Sequence, residues 1–178
     1  MNKKEILKRR KCALIAAETL GFEWLSSPML PDNGLDSIPL LKVVKFIEEI
    51  KDKVNPDIIY THSGADLNID HRVTFEATLT AFRPQPNETW TEIRSFEVPS
   101  SSDYGHTSIS PSFLPNLYID ISEHWLKKEQ SLKAYKSELR ESPHSRSLKG
   151  IKNLSLLRGN QVGIEMAEAF QIIRKITR

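Results

Sequence analysis

The chain has little cysteine and no long apolar run. Cys12 is the one cysteine in 178 residues, so no disulfide and no cluster of thiolate metal ligands can form within one chain. No run of 18 apolar residues occurs, which argues against a membrane span. The net charge of +2 is too small to indicate a nucleic-acid partner, and there is neither a GxGxxG pattern nor a P-loop. We therefore expect a reducing compartment and a cytoplasmic location.

Basic residues cluster in KKEILKRRKCALI (3–15). Such a cluster is found in arms that bind nucleic acid or membranes. It is also typical of the exposed face of an amphipathic helix, because apolar residues such as Ile6, Leu7 and Leu14 are interleaved with the charges. We favour the amphipathic helix.

Helix-like and strand-like segments alternate along the chain. Apolar spacing predicts helices over 3–20, 40–54 and 70–82, and a further helix that begins after a capping Ser122. Strands are predicted at FEWL (22–25) and over 57–62, 91–98 and 116–122, while the tail MAEAFQIIRKI fits either a strand or a helix. This alternation predicts an α/β fold with a mainly parallel sheet, and the length fits one domain over residues 1–178.

The segment THSGADLNIDHR (61–72) has an unusual density of polar side chains, among them His62, His71, Asp66, Asn68 and Asp70. It follows a predicted strand, and ligands of open α/β sheets bind beyond the carboxyl ends of strands. His71 could bind a metal through one ring nitrogen while a nearby carboxylate orients the ring. Alternatively, Asn68 or Asp70 only caps the helix that follows. The residues alone leave both interpretations open.

DLNIDH resembles the second motif of the PIG-L/LmbE-like zinc-dependent N-deacetylases. Further blocks that are similar to this family, in the same order, are RRKCALIAAETLGF, LPDNGLD, FRPQP, SFEVPSS, YIDIS, KKEQSLKAYKSEL, PHSRS, RGNQVG and AEAF. The resemblance covers essentially all 178 residues. It implies a Rossmann-like three-layer α/β domain that binds Zn²⁺ and hydrolyses the N-acetyl group of an amino sugar or glycoconjugate.

The resemblance also implies roles for individual residues. His71 matches a zinc ligand, Asp70 would support it, and Asn68 matches the position that assists the oxyanion, where many members have histidine. Arg9 and Asp32 match positions that contact the sugar. The alternatives are an exposed helix residue for Arg9 and a turn former for Asp32.

One family motif has no counterpart in this sequence. No AHPDDE-type segment, which supplies two zinc ligands and the catalytic aspartate, is found. By this resemblance the chain is N-terminally incomplete and lacks the first βαβ unit. With one of three zinc ligands, the chain alone is expected to be inactive. The alternative is a non-catalytic sugar-binding or subunit protein that retains the fold.

Two further expectations follow from the incomplete motif set. His62 is the nearest candidate for a replacement ligand, and the others are His106, His124 and His144. A sheet without its first strands would expose open edges, which predicts self-association or pairing with a missing-fragment partner. No nucleic-acid partner is expected.

Overall fold

A computed structural model describes residues 3–25, 30–105, 108 and 111–177, with side chains described from residue 5 onwards. Helices and strands alternate in it, which confirms the predicted α/β class. Two 3-10 turns are found at Leu35–Ser37 and Ser122–His124. The other elements are α1 (Lys3–Leu20), α2 (Leu40–Val54), β1 (Ile58–His62), α3 (Ile69–Ala81), β2 (Glu92–Phe96), β3 (Leu117–Asp120), α4 (Trp125–Ala134), α5 (Leu148–Asn160) and β4 (Ala167–Lys175).

The four strands form one sheet in the order β1-β2-β4-β3. β1 pairs with β2 in parallel, with Ile59 opposite Ile93, whereas β2 pairs with β4 in antiparallel orientation, with Phe96 opposite Phe170. The expectation of a mainly parallel sheet is therefore not confirmed. The reason is that β4 is antiparallel to β2. This strand comes from the C-terminal segment whose sequence fits either a strand or a helix.

The C-terminus of α1 has the predicted glycine. Gly21 has φ +80°, and the N–H groups of Gly21 and Phe22 both donate to Ala17 O, at 2.8 and 3.1 Å. Glycine adopts this left-handed conformation without steric cost, so the helix ends here. The strand predicted at 22–25 is wrong, because these residues are exposed and have no regular structure.

Ser122 does not cap α4 as predicted. Asp120 Oδ1 accepts from both the N–H and the hydroxyl of Ser122, at 2.9 and 2.6 Å, and a 3-10 turn follows before α4 begins at Trp125. Ser122 Oγ instead accepts from Met166 N at 3.2 Å. Asp120 therefore forms an Asx turn with Ser122, and the N-cap of α4 is His124, which has no side-chain cap hydrogen bond.

The chain divides into two compact units, each with its own core. The first unit holds the described residues of 1–27 and 118–168, and the second holds those of 28–117 and 169–178. The single-domain interpretation stays a prediction. Within the described residues, no helix is long and apolar enough to cross a bilayer. Buried core residues of the first unit include Ile121, Trp125, Ile151 and Met166, and those of the second include Val43, Val44, Ile59, Ala77, Ala81, Phe82, Trp90 and Ile93.

Gly159 of α5 lies against the turn that leads to β4. A Cβ at this position would be 2.5 Å from Ile164 O and 2.7 Å from Glu165 O. Because backbone atoms cannot move aside cheaply, we expect Gly159→Ala to lower the free energy of unfolding by about 2 kcal/mol. Urea denaturation measures this loss. The control is Asn160→Ala, an exposed neighbour in the same helix, and equal midpoints for the two variants would contradict the prediction.

Candidate functional site

The candidate site lies where the loop 63–68 joins β1 to α3, within the second unit. Asn68 is the N-cap of α3, with extended backbone at φ −68° and ψ 125°. Its side-chain Oδ1 accepts from Asp70 N at 2.8 Å, which satisfies one of the free N–H groups of the first turn. The side chain of Asn68 therefore caps α3.

Asp66 is the buried carboxylate of this loop, with a fully buried side chain. Its Oδ1 accepts from Asn68 N at 3.0 Å and from the Ser101 hydroxyl, and its Oδ2 accepts from Ser102 Oγ at 3.2 Å. The serines lie in the loop that follows β2, and Leu67 N also donates to Ser101 O at 3.1 Å. The carboxylate thus holds together two loops at the same end of the parallel strand pair.

Two histidines stack beside this carboxylate. His71 Nδ1 lies 3.0 Å from Asp66 Oδ2, an ion-pair distance, although the ring N–H is not aligned as a hydrogen bond. The rings of His62 and His71 are stacked with centroids 4.1 Å apart, and the other neighbour of His62 is Phe96 at 4.9 Å. Because Nδ1 of His71 faces the carboxylate, Nε2 is the nitrogen left for a ligand.

Burial sets the charges of this group. Burial is the main cause that lowers the pKa of His62 to about 4; the neighbouring His71 contributes to this decrease, and Asp66 opposes it. For Asp66, burial raises the pKa, but the contacts with His71, Ser101 and Asn68 N–H outweigh it, and the net pKa is lowered. At neutral pH the site therefore contains an ionised Asp66 beside a neutral His62.

Asp70 holds a different segment. Its carboxylate accepts from Asn33 N at 2.7 Å and from Leu35 N at 2.9 Å, and Asn68 Nδ2 donates to Asn33 Oδ1 at 3.2 Å. The carboxylate beside His71 is Asp66, not the adjacent Asp70, because consecutive helical residues point about 100° apart. The catalytic roles expected for Asn68 and Asp70 stay predictions.

The two expected sugar contacts belong to different units. Arg9 Nε of α1 lies 3.3 Å from Glu138 Oε1, within the first unit. Asp32 is exposed in the turn before Asn33, in the second unit. Their roles in sugar binding stay predictions.

The zinc ion that the resemblance implies needs ligand atoms that are free of other partners. Nδ1 of His62 is buried without a hydrogen-bond partner, as expected of an atom next to an unfilled ligand position, whereas Nδ1 of His71 faces the Asp66 carboxylate. However, no three His, Cys, Asp or Glu side chains of the described part of the chain converge on one point. Catalytic zinc needs three protein ligands, so these residues do not fit a complete site.

Three further histidines were expected as candidate replacement ligands. His106 lies outside the described residues. His124 is exposed before α4, and His144 Nδ1 accepts from Arg146 N at 3.0 Å; both belong to the first unit. Replacement of the zinc ligands by these residues stays a prediction.

Comparison with protein families gives a match for residues 2–82 with the model described as PIG-L: GlcNAc-PI de-N-acetylase. This segment includes α1, the turn with Asp32, and the complete loop from β1 to the first turns of α3. No curated protein matches the sequence. The family match therefore includes the loop from β1 to α3 with His62, Asp66 and His71. It does not extend to the loop after β2.

Comparison with solved structures shows the fold. A conserved protein from Thermus thermophilus is 20% identical with TM-score 0.72, and the match covers 96% of this chain and 75% of that one. The 4-carboxy-2-hydroxymuconate hydratase GalB from Pseudomonas putida is 20% identical with TM-score 0.69, covering 100% and 77%. N,N'-diacetylchitobiose deacetylase from Pyrococcus horikoshii is 19% identical with TM-score 0.70, covering 94% of this chain but only 64% of the deacetylase. Because a hydratase and a deacetylase share this fold, the fold alone does not determine the reaction.

Proposed function

Because the chain resembles the PIG-L family over residues 2–82, we propose that it is a protein of the sugar N-deacetylase type, which binds the N-acetyl group of an amino sugar or sugar conjugate beside His71. One observation carries this proposal: Asp66 holds His71 at the start of α3, so that Nε2 of the ring is free to face a ligand. In the PIG-L type of site, His71 would be one zinc ligand.

The other candidate residues have roles in this proposal that fit their contacts. Asn68 uses one amide N–H on Asn33, and its second N–H is proposed to donate to the acetamide oxygen. Asp70 is proposed to fix the turn that carries Asp32, through its bonds to Asn33 and Leu35. Arg9 and Asp32 are proposed as contacts to sugar hydroxyls.

We further propose that this chain alone does not hydrolyse the amide. The described residues supply too few ligands for catalytic zinc. We expect no acetate release from N-acetylglucosamine by the purified chain with added Zn²⁺. Under the same conditions, equilibrium dialysis should find less than one equivalent of tightly bound zinc. Zinc-dependent turnover that disappears in His71→Ala would contradict this prediction.

The same lack of a complete ligand set favours a second candidate, a sugar-binding or subunit protein without catalysis. Both candidates include binding of an N-acetylated sugar, which calorimetric titration with N-acetylglucosamine tests. Binding should weaken at least about tenfold in Asn68→Ala, which loses the amide donor, a loss of about 1.4 kcal/mol. The control is Asn87→Ala, an exposed asparagine away from the loop. The absence of any sugar binding would contradict both candidates.

A further inference from the structure

One surface of α1 has no part in the proposed function. Leu7, Leu14 and Ile15 are 58%, 49% and 43% exposed, although α1 buries Ala13, Ala16 and Ala17. Exposed basic residues lie among these apolar side chains. We call this surface the α1 outer face, and its members are Leu7, Lys8, Arg10, Lys11, Leu14 and Ile15.

Helical geometry places the apolar and basic groups side by side. Leu7 and Leu14 are seven residues apart, so they lie within about 20° of each other around the helix. Lys11 lies between them, four residues after Leu7 and three before Leu14, and it is also four residues before Ile15. The apolar side chains therefore surround a basic one instead of being scattered singly.

The charge of this segment has one predominant sign. KKEILKRRKCALI contains six basic residues and one acidic residue, and the rest of α1 adds one acidic residue, the exposed Glu18, four residues after Leu14 on the same face. Exposed leucines together with lysine and arginine are the groups through which a surface helix binds an anionic membrane. There the leucines enter the acyl boundary, while the long basic side chains reach the headgroups.

We propose that the α1 outer face binds the surface of an anionic lipid bilayer, with the helix axis parallel to the membrane. A nucleic acid would neutralise the basic residues but would leave the leucines in water. A second copy of the same face would bring like charges together, which disfavours a dimer through this surface. The proposal does not depend on sugar binding or deacetylation.

Vesicle flotation with the full chain tests this proposal. We expect binding to vesicles of phosphatidylcholine with about one third phosphatidylserine, and at least about tenfold weaker binding to phosphatidylcholine alone or in roughly 0.5 M salt. Two variants separate the electrostatic and apolar contributions, and each should weaken binding about tenfold or more. They are the triple variant Lys8→Glu, Arg10→Glu, Lys11→Glu and the double variant Leu7→Ser, Leu14→Ser.

Matched controls carry the same changes at exposed positions elsewhere and should bind as the unmodified chain does. For charge, the control is Lys42→Glu, Lys53→Glu, Lys136→Glu, and for apolar surface it is Leu41→Ser, Leu157→Ser. Urea midpoints verify that all variants fold, as expected for exposed sites.

Several results would overturn the proposal. Equal affinity for vesicles with and without phosphatidylserine would contradict the proposal. Equal losses of vesicle affinity in the test and control variants would show that the α1 outer face is not the membrane-binding surface. Binding to a duplex oligonucleotide without binding to vesicles would assign the basic residues to nucleic acid. Concentration-dependent dimerisation that is lost in the leucine variant, again without vesicle binding, would assign the face to a second copy.

Discussion

Asp66→Ala is expected to lower the free energy of unfolding by about 4 kcal/mol, within the range seen when one partner of a buried polar network is removed. The substitution leaves Ser101, Ser102 and the N–H of Asn68 without their acceptor inside the protein. It also removes the carboxylate beside His71. Because Trp90 is buried in the core of the same unit, urea denaturation followed by tryptophan fluorescence measures the loss.

Two further variants test whether the loss of stability comes from removing the buried carboxylate acceptor. Asp66→Asn keeps the shape but turns one acceptor into a donor that faces other donors, so we expect a loss of about 2 kcal/mol. Asp103→Ala removes an exposed carboxylate that accepts from Ser100 N at 2.8 Å, and should cost about 1 kcal/mol or less. A loss below about 1 kcal/mol in Asp66→Ala would show that the network contributes little.

Acidification from pH 7.5 to about 4 is expected to lower the stability of the second unit by about 3 kcal/mol through His62 alone. In the folded protein burial lowers the pKa of His62 to about 4, whereas the ordinary pKa of 6.5 applies when the chain unfolds. Between these values the unfolded state binds more protons than the folded state. The stabilisation is therefore complete above pH 6.5 and is lost as the pH falls towards 4.

The lowered pKa of Asp66 acts in the same direction at still lower pH, because its stabilisation is lost as the carboxylate becomes protonated. Urea midpoints at a series of pH values separate the two groups. His62→Phe keeps an aromatic ring between His71 and Phe96 but cannot titrate, so its slope between pH 6.5 and 4.5 should be much smaller. His124→Gln, at an exposed position, should keep the slope of the unmodified chain. Identical slopes in all three proteins would contradict the assignment to His62.

Helices α1 to α4 and most strands could be predicted from the sequence because each has a clear period. The sheet orientation could not, because it depends on how β4 pairs. AEAFQIIRK has apolar residues that fit a strand or a helix, and only the pairing with β2 selects an antiparallel strand. The segment FEWL has the composition of a strand, but composition supplies no pairing partner.

The position of the candidate site was predictable from a polar loop that follows a strand, but its contacts were not. Proximity in sequence favoured Asp70 as the partner of His71, whereas helix geometry turns these neighbours apart. The sequence does not mark Asp66 as buried, because its burial depends on Ser101 and Ser102, which are 35 and 36 residues away. A run of serines in a loop gives no sequence signal that they donate to this carboxylate.

The hydrogen bonds between the two loops also have a consequence for local unfolding. Leu67 N donates to Ser101 O, and the serine hydroxyls hold Asp66, whose carboxylate accepts from Asn68 N. Neither loop can open without breaking the bonds that hold the other, so the two should open as one cooperative unit. A ligand that orders the loop beside His71 would thereby also slow the opening of the loop after β2.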